Sequence, residues 1–430
     1  VDALVVGRFL GMDALAGVGS TSSVNFLVLG FCIGICNGFV IPVAQKFGEG
    51  DEAELRRFVA NSIWLSAAFA VGLTVLRWMN TPDNIFRYAY DYIFVIFLGI
   101  PAIILYNLVS GVIRSLGDSR TPIYFLVLSS LLNVALDLLA VAVLGMGVEG
   151  PAWATVISQA ISGLLCLAIM GKRYPVLRFR PGELRPSRTH ITRLFAIGVP
   201  TGLGLWLLFA LRLLHGIAFG TCSTAIGTIV VQTAVNGLGA VSIAAVTAAN
   251  KVSQLFTCPF DAAGTTMAVY GGQNYGAMKL DRIHRGVRAC VLLMFAYSAL
   301  GLGVLALFGG KLSLLFLDSA ESAAVRDQIG LLAQQFLVWN ASCYFLLTLV
   351  NVLRFLIQGV GFTQQAVFAG VFETIARCFV GFAVVRRIGY TAICLANPAA
   401  WLLADCFLVP IYFHDMHLLQ RRFAQRRAEA

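Results

Sequence analysis

The chain has 430 residues, of which 59% are hydrophobic and only 12% are charged. Soluble domains carry roughly 25% charged residues, so this composition excludes an ordinary soluble domain and is typical of a protein with many membrane spans. The formal net charge of +10 does not indicate a nucleic-acid partner, because Lys and Arg are concentrated in alternate connectors between apolar runs. That pattern is the orientation signal of a multi-pass membrane protein.

Apolar runs of about 20 residues, long enough to cross a bilayer, follow one another along the chain. Residues 1–11 are too short to span and are interpreted as the end of a first helix. Residues 193–236 are about twice as long as one span, and we interpret them as one long, broken or partly re-entrant segment. The predicted spans are 22–45, 59–79, 90–114, 121–144, 151–171, 193–236, 240–270, 287–309, 331–357, 362–384 and 391–413.

The sequence also contains an internal repeat. Residues 10–59 align without gaps to residues 238–287, including a loop with a glutamine, an aromatic residue and a glycine that is followed by a basic stretch. Further on, SLGDSRTP (115–122) aligns with GVGFTQQA (359–366). A duplicated bundle whose halves keep the same orientation is the layout of secondary transporters built from parallel repeats.

Several motifs carry a resemblance to a known family: VDALVVGRFLGMDALAGVGS, PVAQKFGEGDEAELRR, RSLGDSRTP, LNVALD, GPAWATVISQ and GGQNYGAMKLDRIHRGVR. They resemble the multidrug and toxic compound extrusion (MATE) family, most closely its DNA-damage-inducible branch. The resemblance implies an all-α polytopic membrane protein with twelve helices in two six-helix lobes, here with a truncated first helix. The implied organisation is an N-terminal lobe (1–171), a basic cytoplasmic linker (172–192), a C-terminal lobe (193–413) and a basic cytoplasmic tail (414–430).

Asn133 and Asp137 lie one helical turn apart in the apolar run SSLLNVALDLLAVAVLG. A charged side chain at the centre of a membrane costs at least about 2.5 to 3.5 kcal/mol, so it usually faces a cavity and marks an ion or proton path. The resemblance adds Asp2 and Thr155 as further members of a cation-coupling cluster. An alternative is that Asn133, Asp137 and Thr155 only join helices through hydrogen bonds. H⁺ is favoured as the coupling ion because few acids are available, and Na⁺ held by Asp137 and Asn133 is the alternative.

The second half lacks the acids that some branches of the family carry on the seventh and tenth helices. Glu373 and Arg377 are four residues apart and can neutralise each other on one helical face, either as a structural pair or as part of a cavity. Lys251 is predicted to face a cavity, and Pro259 is predicted to break its helix just before Asp261. The predicted substrate cavity contains Gln232, Asn236, Asn250, Lys251, Gln254, Glu373 and Arg377.

The sequence thus favours a cation-coupled antiporter that exports small amphipathic, often cationic, organic compounds. A lipid-linked precursor flippase with the same duplicated architecture is the alternative, whereas no catalytic constellation or pore loop indicates an enzyme or a channel. We expect no cofactor, no resident metal and no nucleic-acid partner. The expected setting is a monomer in the bacterial cytoplasmic membrane, with the bilayer and organic substrates as partners and the C-terminus in the cytoplasm.

Overall fold

The computed structural model describes residues 12–76, 87–180, 182–198, 223–315 and 323–429, and all regular structure in these ranges is helical. The chain divides into two compact units, Val1–Trp206 and Leu207–Ala430. By length and composition, five of the described helical segments can cross a membrane, and a bent pair of helices adds a sixth if it forms one span.

Unit 1 contains seven described helices around an apolar core that includes Phe39, Phe58 and Ile113. The helical chain is interrupted at Gly99, and Pro101 lies in the first turn of the helix that starts at Ile100. Proline has no N–H to donate, so it suits the first turn of a new helix better than the interior of a continuous one. The helices are α1 Met12–Glu49, α2 Glu52–Leu76, α3 Arg87–Leu98, α4 Ile100–Ser115, α5 Arg120–Leu138, α6 Glu149–Arg173 and α7, residues 188–198.

The loop between α4 and α5 fixes the start of α5 through Asp118. Its carboxylate accepts hydrogen bonds from the backbone N–H groups of Arg120 and Thr121, both at 3.0 Å, and from the hydroxyl groups of Thr121 and Tyr174. Burial raises the pKa of Asp118, but these hydrogen bonds outweigh burial and hold the pKa well below its usual range. The carboxylate therefore stays charged beside the N-terminus of α5, where a negative charge is stabilising.

The connector after α6 folds back onto α2 as part of the same compact unit. Trp64 donates from its indole nitrogen to the carbonyl oxygen of Leu184 at 2.8 Å, and Asn61 accepts from the backbone N–H of Ser187 at 2.8 Å. Leu194 of α7 is fully buried in the unit 1 core. The predicted basic linker is thus ordered against unit 1 by specific hydrogen bonds as well as by apolar packing.

Unit 2 has a core of contacting aromatic rings, in which Tyr344 lies 5.3 Å from Phe260 and 6.1 Å from Trp401 between ring centroids. Helices α11 and α12 are bent by 51° about Cys343. The helices are α8 Ser223–Asn236, α9 Ala240–Gly276, α10 Leu280–Leu314, α11 Ala323–Ser342, α12 Tyr344–Gly359, α13 Thr363–Phe379, α14 Val385–Ile388 and α15 Tyr390–Glu429.

The predicted repeat is confirmed by the backbone. Gly117 and Gly361, which the sequence aligns, have φ values of +89° and +104° after α4 and α12. Both α5 and α13 end in a five-residue π-helical turn, Leu139–Val143 and Val380–Val384. Because φ in this range favours glycine, the shared glycines and the shared turns indicate that the two halves build the same chain path.

One expectation about local structure is wrong. Helix α9 continues from Ala240 to Gly276 through Pro259, so the proline does not break the helix before Asp261. A long membrane helix can tolerate the loss of the single hydrogen bond that proline removes.

Candidate functional site

Two of the residues predicted to couple transport to a cation, Asn133 and Asp137, lie in the C-terminal half of α5. Asp137 is fully buried, and Asn133 is partly buried one turn earlier on the same face. The Asn133 side-chain amide donates to Thr155 Oγ1 at 3.0 Å and so joins α5 to α6. Asp2, the fourth predicted member, lies outside the described residues.

The backbone changes just after Asp137. The π-helical turn Leu139–Val143 begins two residues later, and the N–H of Leu144 donates to the carbonyl oxygen of Leu139 at 3.0 Å. Gly145 then reverses the chain with a φ of +65°. Single π-turns within α-helices are found often at functional sites, so the carboxylate lies beside an irregular backbone segment of a kind common there.

The cluster is rich in oxygen atoms. When the Asn133 amide nitrogen donates to Thr155, the amide oxygen of Asn133 is left to accept a bond or bind a cation. Gln159, one turn beyond Thr155 on α6, has a buried side-chain oxygen with no hydrogen-bond partner among the described residues. Carboxylate, amide and hydroxyl oxygens are the ligands of hard cations, and a buried carboxyl group can also carry a proton. Gln159 stands in the motif GPAWATVISQ but was not predicted, and its position at i+4 from Thr155 is the signal that would have found it.

In unit 2, Glu373 forms the predicted pair and a further one. Its Oε2 accepts from Arg377 at 3.0 Å, and its Oε1 accepts from Arg354 of α12. Arg377 also donates to Asn397 Oδ1 at 3.4 Å, and the Asn397 amide donates to Asn340 Oδ1 at 3.1 Å. This network joins α11, α12, α13 and α15, which agrees with a structural role for the pair.

Asp405 on α15 is a buried acid that the sequence analysis missed. It is 5% exposed, and both carboxylate oxygens lack a hydrogen-bond partner among the described residues. It lies close enough to Arg354 and Glu373 for an electrostatic interaction with both. When Asp405 is ionised, Glu373 and Asp405 balance Arg354 and Arg377. The signal was present in AWLLADCFLV, where a single acid interrupts an apolar run just as Asp137 does.

The remaining predicted cavity residues form two further groups. Gln232 donates to Asn236 Oδ1 at 3.1 Å on α8, and both side chains are exposed. Asn250, Lys251 and Gln254 are exposed on α9. In the part of the chain that the structure describes, no hydrogen bond or ion pair joins either group to the glutamate and arginine network.

Comparisons with known proteins point to one family. The MatE family model matches residues 1–139 and 217–383, which is more than half of the chain. The probable multidrug resistance protein YoeA of Bacillus subtilis is 28% identical over 347 residues, covering 76% of this chain and 71% of that protein. The probable multidrug resistance protein YpnP of the same organism is 25% identical over 374 residues, covering 85% and 78%.

The fold is also similar to that of a solved transporter structure. A solved outward-facing structure of a multidrug resistance MATE family transporter of the MOP superfamily matches with a TM-score of 0.83 at 20% identity, covering 97% of this chain and 91% of that one. The assignment to the DNA-damage-inducible branch stays a prediction. From the matches together, the chain belongs to the multidrug and toxic compound extrusion family, and it is an all-α polytopic membrane transporter rather than an enzyme.

Proposed function

We propose that the chain exports small amphipathic organic compounds, many of them cationic, in exchange for a cation that binds at Asp137. The observation that carries the proposal is the full burial of this carboxyl group beside the bond between Asn133 and Thr155. The names of the multidrug resistance relatives support the substrate class. Asp2 is proposed as the fourth member of the cluster.

The preferred coupling ion is H⁺. A buried carboxylate without a bound cation is costly in a membrane, and a proton neutralises it without needing further anionic ligands. Na⁺ would need several oxygen ligands, for which Asn133, Thr155 and Gln159 are the candidates. In either case, binding of the cation from one side and its release to the other would alternate with binding of the exported compound.

The proposed setting is the bacterial cytoplasmic membrane, with the connector that follows α6 and the C-terminal tail in the cytoplasm. The concentration of Lys and Arg in these segments supports that orientation. The proposed working form is a monomer of two lobes, 1–171 and 193–413, that uses no cofactor and no nucleic acid. Substrate is proposed to contact the exposed polar side chains of α8 and α9.

The test is dye efflux from proteoliposomes with the purified chain. Asp137→Asn should abolish cation-driven efflux while leaving the yield and the thermal unfolding of the protein unchanged, because the amide cannot exchange a proton. Asp327→Asn is the matched control, since it removes an exposed carboxylate at the start of α11. Full efflux by Asp137→Asn would refute the role of this residue.

Separate gradients identify the ion. Efflux driven by a pH gradient without Na⁺ supports H⁺, and efflux driven only by a Na⁺ gradient would replace H⁺ by Na⁺. Efflux that needs neither gradient would contradict antiport itself.

A lipid-linked precursor flippase is the second candidate, and the cation Lys251 is the observation that favours it. Such a protein needs a strongly cationic cavity for a phosphate-bearing substrate. Arg354 and Arg377 contribute little to one, because both share the carboxylate of Glu373. Translocation of a fluorescent lipid-linked phosphate without dye efflux would favour the flippase.

A further inference from the structure

A basic cavity lies in unit 2 at the junction of α9, α10 and α15. It has a volume of about 530 Å³. Lys279, Arg282 and Arg285 line it on one side, and Phe423 and Ala424 near the end of α15 line it on the other. The cavity also contains the N-terminus of α10, a 35-residue helix whose dipole favours a negative charge there.

The basic side chains of this cavity are not neutralised by the chain itself. Among the described side chains, neither Lys279 nor Arg282 nor Arg285 forms an ion pair. Arg285 donates to the carbonyl oxygen of Asp281 at 3.4 Å, which leaves most of its guanidinium donors unused. With Asp281 as the nearby acid, the lining carries an excess of positive charge.

A basic residue at the start of the corresponding helix of unit 1 has a neutralising partner, although the repeat aligns that residue, Arg56, with His284 and not with a residue that lines the cavity. There Arg56 at the start of α2 is 4% exposed and binds Glu183 of the connector, with Nε to Oε2 at 2.8 Å and Nη2 to Oε1 at 3.0 Å. Glu54 binds His190 of α7 at 2.9 Å. Glu183 therefore pairs with Arg56, and His190 pairs with Glu54, at the start of α2.

Two aligned positions carry opposite charges in the two units, whereas Arg57 and Arg285 are both basic. Asp51 aligns with Lys279, and Glu54 aligns with Arg282. Helix α15 also runs on to Glu429 as one helix, whereas α6 ends at Arg173 and gives way to the connector that carries Glu183. The start of α10 thus carries basic residues at two positions that are acidic in unit 1. No carboxylate of the described residues forms an ion pair with Lys279, Arg282 or Arg285.

We propose that this cavity binds a phosphate-bearing group at the membrane surface, either the head group of an anionic phospholipid or a soluble phosphate compound. Two arginines and a lysine around one cavity match the charge and the several acceptor oxygens of a phosphate group. Its position at the ends of long apolar helices places it where phospholipid head groups lie, and basic pockets of this kind bind anionic lipids. The site does not depend on the identity of the exported compound.

The test measures binding to the purified full chain in neutral detergent by native mass spectrometry. The probes are dioctanoyl phosphatidylglycerol, dioctanoyl phosphatidylcholine and inorganic phosphate. We expect the double variant Arg282→Gln with Arg285→Gln to bind phosphatidylglycerol about thirtyfold more weakly, because two charge-assisted hydrogen bonds to the phosphate are lost. The matched control is Arg386→Gln with Arg387→Gln, which removes two exposed charges at α14 and should bind like the wild type.

A second variant keeps the arginines and tests the cavity in another way. Ala424→Glu adds a carboxylate at the exposed rim of the cavity and should compete with the phosphate group and weaken binding to a similar extent. Preference for phosphatidylglycerol over inorganic phosphate assigns the site to lipid, and equal or tighter binding of inorganic phosphate assigns it to a soluble compound. Equal binding of the two lipids in the absence of phosphate binding, or wild-type affinity in both cavity variants, would overturn the proposal.

Discussion

Replacing Glu373 by glutamine removes the carboxylate that Arg354 and Arg377 share while keeping the size of the side chain. Glu373 is 5% exposed, so both guanidinium groups would lose their common neutralising partner in a poorly hydrated interior. Removing one partner of a buried ion pair costs about 3 to 5 kcal/mol, because an uncompensated charge stays behind. For a unit of the size of Leu207–Ala430, this corresponds to a fall in melting temperature on the order of 10 °C.

The assay is thermal unfolding of the purified chain in detergent, followed by tryptophan fluorescence. The exposed substitution Asp327→Asn in the same unit is the control and should melt like the wild type. Adding Arg377→Gln to Glu373→Gln should recover part of the loss, because one of the two stranded cations is gone. If Glu373→Gln melts like the wild type but fails to transport, the network is not structural and Glu373 acts in the cavity.

Three further predictions test other parts of the molecule. Asn133→Ala and Thr155→Val should each slow efflux by about two- to tenfold and together no more than the larger single effect, because both remove one hydrogen bond; additive losses would contradict this. Gly359→Ala should destabilise unit 2 by about 1 to 3 kcal/mol in thermal unfolding, since its Cβ would collide with the backbone of α9, whereas Gly303→Ala, in open space, should not; equal effects would refute the close packing. The arginine partner and a backbone N–H lower the pKa of Glu183 from 4.5 to about 2, so the stability that Glu183 adds is complete above pH 4.5 and is lost as the pH falls toward 2. The melting temperatures of wild type and Glu183→Gln should therefore converge over that range, and a constant difference would exclude the ion pair as the cause.

The sequence was sufficient to predict the helical class and the repeat, whereas Thr155 was grouped with Asn133 only by the resemblance to the family. Helical spacing determines which residues share a face. A polar residue in an apolar run usually lies at a contact between helices or faces a cavity. The same reasoning applied to Asp405 would have predicted a buried acid there. The position of Arg354 could not be predicted in the same way. It stands near the end of an apolar run, where the sequence does not distinguish a basic residue in a helix from one in a loop.

The charged stretches that follow α1 and α9 illustrate another limit of prediction from sequence. They form the first turns of α2 and α10. Periodicity does not reveal which distant segment will cover a helix start. In unit 1 that segment is the connector with Glu183, more than a hundred residues away along the chain.

The paired π-helical turns have a consequence for the history of the chain. A π-turn holds an extra residue compared with an α-turn and is rare, so its occurrence at the end of both α5 and α13 is best explained by inheritance from a single ancestral half. In unit 1 the turn follows Asp137 by two residues, and in unit 2 it follows Arg377 by three. The backbone irregularity therefore recurs in both halves, although it begins 22 residues after Gly117 in unit 1 and 19 residues after Gly361 in unit 2, so the charged residues beside it are not at aligned positions.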